Sequence, residues 1–141
     1  MSLDKLQEIR ERRAEKQQKA VLESRALVQT AVQQVELCKQ NLLNFQQWRL
    51  SHQEELFKGL QNQPCTPQSM LDYRARLETL AQEEEQLKLV IIDSQKNFET
   101  VKEKHVQVQQ VAVALALKNE KTKEIVKIQQ EADRQLQRAI D

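Results

Sequence analysis

The chain has 141 residues, of which one is glycine, two are proline and 4% are aromatic. Average usage would give about 17 glycine and proline residues in this length, so a β-rich fold with many turns is excluded. The few aromatic side chains are too sparse for a globular core. Lysine and arginine number 22 and aspartate and glutamate 21, a net charge of +1, which lacks the basic excess of a sequence-independent nucleic-acid binder. The composition favours long helices.

The first predicted element is a helix over about residues 3–62, which contains no proline and one glycine near its end. Apolar residues, together with a few polar residues that share their spacing, recur at steps of three and four residues, which is the pattern of a coiled-coil seam. One extra four-residue step, at Ala31 to Val35, predicts a local unwinding of the supercoil. The predicted seam of this helix consists of Leu27, Ala31, Val35, Cys38, Leu42, Phe45, Arg49, His52 and Leu56.

A single strong break follows, and we predict a hinge at 63–66. Pro64 cannot continue a helix, whereas Thr66 before Pro67 is typical of an N-cap followed by proline at the first helical position. So short a hinge makes the two helices turn back on each other.

The second predicted helix covers about residues 67–140, and its seam keeps alternating three- and four-residue steps. Its predicted seam consists of Met70, Tyr73, Leu77, Leu80, Glu84, Leu87, Ile91, Ser94, Phe98, Val101, His105, Val108, Ala112 and Leu115. The predicted fold is all-α, a long antiparallel two-helix coiled-coil hairpin that forms a single domain over 1–141, with helices of about 90 and 110 Å.

Folding at the hinge pairs seam positions whose residue numbers sum to about 129. This register predicts contacts of Leu42 with Leu87, Cys38 with Ile91, Leu27 with Val101 and Glu84 with Phe45. It leaves residues 128–141 without a partner, and we expect them to form a lone or frayed segment.

No catalytic or cofactor site is predicted. One glycine cannot build a phosphate-binding loop, and His52 and His105 lie too far apart along the hairpin to share a metal. Each histidine is expected to be a packing residue, and Cys38 a small buried hydrophobe that cannot form a disulfide with Cys65. The longest apolar run, at 111–117, has seven residues where a membrane span needs about 20. We therefore expect a soluble, intracellular protein that is not an enzyme.

Two features exceed what a two-helix hairpin requires. The first is a set of apolar residues outside the seam, which either widen the seam or form a docking surface for another helix: Val21, Val28, Val32, Leu43, Leu50, Phe57, Ile92, Val106, Val113 and Leu117. The second is the basic segment 10–19, with five basic and two acidic residues. That segment is either an ordinary charged helix face or a binding end for another protein, because its predicted neighbours between Gln110 and Leu117 are apolar and offer its arginines no partner.

Three short motifs carry a resemblance. Leu6 to Arg10 leads into Arg13-Ala14-Glu15-Lys16, and Gln47-Trp48-Arg49 and Glu54-Glu55-Leu56-Phe57 precede the hinge. In these motifs and in its architecture, the chain resembles the YscO/FliJ family, the helical-hairpin stalk proteins of type III secretion and flagellar export.

The resemblance implies a protein similar to the central stalk of rotary ATPases, whose terminal end enters the pore of a hexameric export ATPase. It also implies contacts with an export gate protein and with secretion chaperones, no cofactor, and a cytoplasmic location at the secretion apparatus on the inner membrane. Carried over, the ATPase-binding residues would be Arg10, Arg12, Arg13 and Lys16, and the gate- or chaperone-binding residues Leu43, Trp48, Leu50 and Phe57.

Two other functions stay open on the sequence alone. A coiled-coil adaptor or spacer would dimerise through the apolar stripes in a four-helix bundle, whereas a stalk protein would be monomeric on its own. An RNA-binding helical arm is disfavoured by the balanced charge, and we expect neither nucleic-acid binding nor membrane insertion.

Overall fold

The computed structural model describes residues 2–141, so Met1 of the predicted hairpin lies outside the described residues. Helix α1 spans Leu3–Gln61 (59 residues) and helix α2 spans Pro67–Ile140 (74 residues). The two helices pack against each other in antiparallel directions, and the described part of the chain contains no strand. The prediction of an all-α helical hairpin is therefore confirmed.

Hydroxyl side chains cap the start of each helix. The backbone N–H of Ser69 donates to Thr66 Oγ1 at 3.1 Å, and the backbone N–H of Thr66 donates to Ser69 Oγ at 3.0 Å. This reciprocal pair is a capping box in which a serine replaces the usual glutamate. At the start of α1, the backbone N–H of Lys5 donates to Ser2 Oγ at 3.3 Å. Thr66 is thus the N-cap that the sequence predicts.

The paired helices divide into two compact units. The terminal unit combines the part of α1 up to Val28 with Val101–Asp141, and the hinge unit is the continuous stretch Gln29–Thr100. Each unit contains one length of both helices and has its own section of the seam.

The predicted seam of α2 is confirmed at every position except Met70, which is exposed. All the other predicted positions are buried or half-buried, and the same three- and four-residue steps continue beyond the prediction through Asn119, Thr122 and Val126.

The predicted seam of α1 is wrong at its N-terminal end. Leu27 is 61% exposed and is therefore not a seam residue, whereas the adjacent Val28 is half-buried. With Val28 in the seam, the steps of three and four residues continue without the extra step predicted at Ala31 to Val35. The inward positions of α1 before Ala31 are Gln7, Arg10, Ala14, Gln17, Val21, Ser24 and Val28. Polar residues at several of these positions hid the periodicity from a reading based on apolar spacing.

Hydrogen bonds and ion pairs across the seam define the register. In the terminal unit, Ser24 Oγ lies 2.6 Å from His105 Nδ1, and these residue numbers sum to the predicted 129. In the hinge unit, the guanidinium of Arg49 donates to the Glu84 carboxylate at 2.7 Å. The Glu84 carboxylate therefore binds a residue one helical turn nearer the hinge than Phe45, the expected neighbour. A half-buried carboxylate gains more from a charge-assisted hydrogen bond with a guanidinium than from contact with an aromatic ring.

Leu80 is the large buried side chain that α2 contributes to the seam of the hinge unit, and it is 6% exposed. Replacing Leu80 with alanine should lower the free energy of unfolding by about 2–5 kcal/mol, because the change removes buried methyl groups and leaves a cavity. Leu89→Ala is the matched control, since Leu89 lies on the same helix and is 51% exposed. Urea unfolding followed by circular dichroism measures both variants, and an equal loss in the two would contradict the seam.

Candidate interaction surfaces

The arginine that begins the basic segment is bound within the hairpin. The Arg10 guanidinium donates to the backbone carbonyl oxygen of Lys118 at 3.3 Å and to Thr122 Oγ1. Thr122 is 1% exposed and also donates to the Lys118 carbonyl at 2.9 Å. The expectation that helix α2 offers this arginine no partner is therefore wrong. Arg10 lies at a seam position and faces polar groups of α2 just beyond the apolar run at 111–117.

The other three predicted ATPase-binding residues, Arg12, Arg13 and Lys16, are exposed. At about 100° of rotation per residue, Arg12 and Lys16 lie on the side of α1 that faces away from the seam, and Arg13 lies between that side and Arg10. Within residues 2–141, none of the three side chains takes part in a hydrogen bond or an ion pair. The structure thus separates three free cations from Arg10.

Polar residues at the end of the α2 seam escaped the sequence analysis. Asn119 is 9% exposed, and its Oδ1 atom has no hydrogen-bond partner among the described residues. Continuing the three- and four-residue steps past Leu115 would have found both Asn119 and Thr122. Buried polar groups at seam positions favour one register over its alternatives, at a cost in stability.

A stripe of apolar side chains lies along one flank of the hinge unit, which we call the first flank. Leu43, Leu50 and Phe57 recur every seven residues and are 47%, 66% and 49% exposed. Val32 and Ile92 are also exposed, and both line a groove between α1 and α2. Val21 and Val28, which the sequence analysis assigned to the same stripe, are half-buried seam residues instead.

Trp48 lies on the opposite side of the hinge unit, which we call the second flank. Two residues of helix rotate the side chain by about 200°, so Trp48 and Leu50 face different directions. The Trp48 ring stacks on His52 with centroids 4.6 Å apart and lies 5.7 Å from Phe45. The four predicted gate- or chaperone-binding residues therefore form two surfaces.

The two histidines are packing residues within their units. His105 contacts Ser24, and His52 stacks on Trp48 and lies 3.8 Å from a carboxylate oxygen of Glu55. Cys38 is buried at 5% exposure, and Cys38 and Cys65 are both free thiols, as the sequence predicts. Within residues 2–141, no cluster of three or more metal-binding side chains occurs.

The C-terminal end of α2 extends past the last buried seam residue, Val126. All residues from 127 to 141 are exposed, and the helix continues to Ile140. The expected unpaired segment is therefore present as a lone helix. Over the described residues, neither helix has a stretch long and apolar enough to cross a membrane.

A family model described as Type III secretion protein YscO matches residues 3–140. The chain belongs to the YscO family. A search of curated proteins and a search of solved structures returned no match.

Membership of the YscO family confirms the resemblance that the sequence motifs carry, and it identifies the chain as a type III secretion protein. The match covers both helices. The surfaces described above are therefore surfaces of a helical secretion protein.

The bonds of Arg10 lead to a prediction about the terminal unit of this YscO-family protein. Arg10→Ala should increase amide hydrogen exchange in the first turns of α1, because the hydrogen bonds to Thr122 and to the Lys118 carbonyl are lost. Arg12→Ala is the control, since Arg12 has no such partner in the structure. Equal exchange in the two variants would show that Arg10 does not hold α1 to α2.

Proposed function

We propose that this YscO-family chain is a non-enzymatic stalk and escort component of a bacterial type III secretion apparatus. The terminal unit engages the hexameric export ATPase, and the hinge unit engages the export gate protein or secretion chaperones. The observation that carries this proposal is the family match across residues 3–140. The chain would work on the cytoplasmic side, peripherally associated with the apparatus at the inner membrane.

Two features of the terminal unit support an ATPase-binding role. Arg12, Arg13 and Lys16 are exposed cations without internal partners, and guanidinium groups bind carboxylates in a bidentate geometry. The lone helix at 127–140 exposes Ile128, Leu136 and Ile140 by 65% or more. Arg10 is removed from the proposed binding set, because its guanidinium is bound to α2.

The first-flank stripe supports the second contact. Leu43, Leu50 and Phe57 recur along one flank of α1 as exposed apolar side chains that the two-helix hairpin does not cover, and exposed apolar side chains grouped on one surface are typical of a protein interaction site. We assign the gate or chaperone contact to these three residues and leave Trp48 out of this stripe.

The variant Arg12→Glu/Arg13→Glu/Lys16→Glu should abolish stimulation of ATP hydrolysis by the cognate export ATPase. The reversed charges would repel the carboxylates that the cations are proposed to bind, while Arg10 and the seam stay unchanged. Stimulation by the wild-type protein should also weaken with added salt, since exposed charges are screened over about 10 Å at 0.1 M.

The matched control is Lys39→Glu/Arg74→Glu/Lys96→Glu, which makes the same change in net charge with exposed residues of the hinge unit. It should stimulate the ATPase as the wild type does. Stimulation that survives reversal at 12, 13 and 16 would place the ATPase contact on another surface, such as the lone helix at 127–140.

The variant Leu50→Asp should weaken binding to the gate protein or to a chaperone at least tenfold, because it puts a charge in the middle of the apolar stripe. Calorimetric titration with the purified partner measures the effect. The thermal unfolding curve should stay close to that of the wild type, since Leu50 is 66% exposed.

Leu89→Asp is the control for this change, because Leu89 is similarly exposed on the opposite helix and outside the stripe. It should bind as the wild type does. Unfolding caused by Leu50→Asp alone would show that the stripe stabilises the hairpin instead of binding a partner.

A further inference from the structure

The second flank of the hinge unit contains a shallow groove around Trp48. On the α2 side, the groove is lined by the small side chains of Ala75 and Thr79, which leave space beside the Trp48 ring. The groove is lined by Trp48, His52, Ala75, Arg76, Thr79, Leu80 and Glu83.

The indole of Trp48 is held in place before any partner arrives. Its ring stacks on His52 at an interplanar angle of 13° and contacts Phe45 at a centroid distance of 5.7 Å, yet the residue is 50% exposed. A rigid, half-exposed tryptophan loses little side-chain entropy on binding, which is why tryptophan is enriched at the energetic centres of interfaces.

Two unpaired charges of opposite sign lie along the α2 edge of the groove. Among the described residues, neither Arg76 nor Glu83 has a hydrogen bond or ion pair made by its side chain. They are seven residues apart on one face of α2, about 10 Å along the helix axis. That separation is too long for an ion pair between them, so each charge is available to an outside partner.

Because Arg76 and Glu83 have opposite charges, the groove of one copy is electrostatically complementary to the same groove of a second copy. When a second α2 helix lies antiparallel on the first, with a twofold axis between Thr79 and Leu80, position 76 of each helix meets position 83 of the other. A twofold contact of this kind satisfies both charges of both copies at once. Arg76 and the half-exposed Trp48 line the same groove, and arginine beside a tryptophan ring favours a cation–π contact.

We propose that this groove binds a second copy of the chain in an antiparallel, twofold arrangement. The contact covers one groove per copy and is smaller than the roughly 1,200–2,000 Å² that stable interfaces bury, so the dimer forms only at high concentration. This proposal replaces the expectation of a monomer at such concentrations. The first-flank stripe and the terminal unit stay free for the partners proposed above.

Sedimentation equilibrium and tryptophan fluorescence test the proposal together, because Trp48 is the only tryptophan of the chain. The wild type should form dimers as its concentration rises, and the emission of Trp48 should shift to shorter wavelength over the same range. Arg76→Glu and Glu83→Arg should each weaken the dimer about tenfold or more, because each puts like charges opposite one another.

Charge exchange distinguishes a second copy from any other occupant. The double variant Arg76→Glu/Glu83→Arg should dimerise again, and an equimolar mixture of the two single variants should form heterodimers, because both restore opposite charges across the twofold axis. Arg74→Glu and Glu78→Arg are controls on the first-flank side of the same helix, away from the groove, and should dimerise like the wild type. Circular dichroism melting curves check that every variant is folded.

Three results would overturn the proposal: a wild type that stays monomeric at millimolar concentration, a dimer that Arg76→Glu leaves intact, or a double variant that stays monomeric. Binding of a different protein at Trp48 by a wild type that stays monomeric would assign the groove to that protein. None of these results bears on stimulation of the export ATPase, so the proposed function is tested separately.

Discussion

The structure depends on one constraint, which is that each helix has a single neighbour. A helix packed against one partner can bury only a narrow stripe of side chains, repeated at three- and four-residue steps. Six hydrophobic residues are buried among those described, whereas 22 large hydrophobic residues are exposed. The proposed apolar contact surfaces follow from this imbalance, since the seam stabilises the fold and leaves the remaining apolar side chains uncovered.

The chemistry of the seam differs between the two units. In the hinge unit the buried residues are mainly apolar, among them Val35 and Leu80, with the Arg49–Glu84 ion pair as one charged contact. In the terminal unit the seam contains Arg10 bound to Thr122, together with Asn119. Buried polar contacts add less stability than packed apolar groups but discriminate strongly against a shifted register. The terminal unit therefore has a well-specified register at the expense of apolar burial.

The candidate binding residues belong to separate surfaces, so the proposed partners would not compete for one site. Exposed cations and a lone helix occur in the terminal unit, whereas the hinge unit has an apolar stripe on one flank and a groove around Trp48 on the other. Surfaces that do not overlap allow one small protein to hold more than one partner at a time. Family membership identifies the secretion system, and these surfaces provide the basis for the proposed contacts within it.

Much of this protein was predictable from the sequence. The helices and most of the seam follow from three features of the sequence: the near-absence of glycine and proline, the Thr66–Pro67 cap and the unbroken spacing of α2. These features are readable in the sequence because helix propensity and hydrophobic periodicity depend on residues that are close together in the chain. The motifs before the hinge also predicted the family. The tertiary structure alone decided that Val28 and not Leu27 enters the seam, and that Arg10 binds α2 while Arg12 stays free. These outcomes depend on which side chains of α2 lie opposite each position of α1. Where the seam residues are polar, hydrophobic spacing does not show which residues pair.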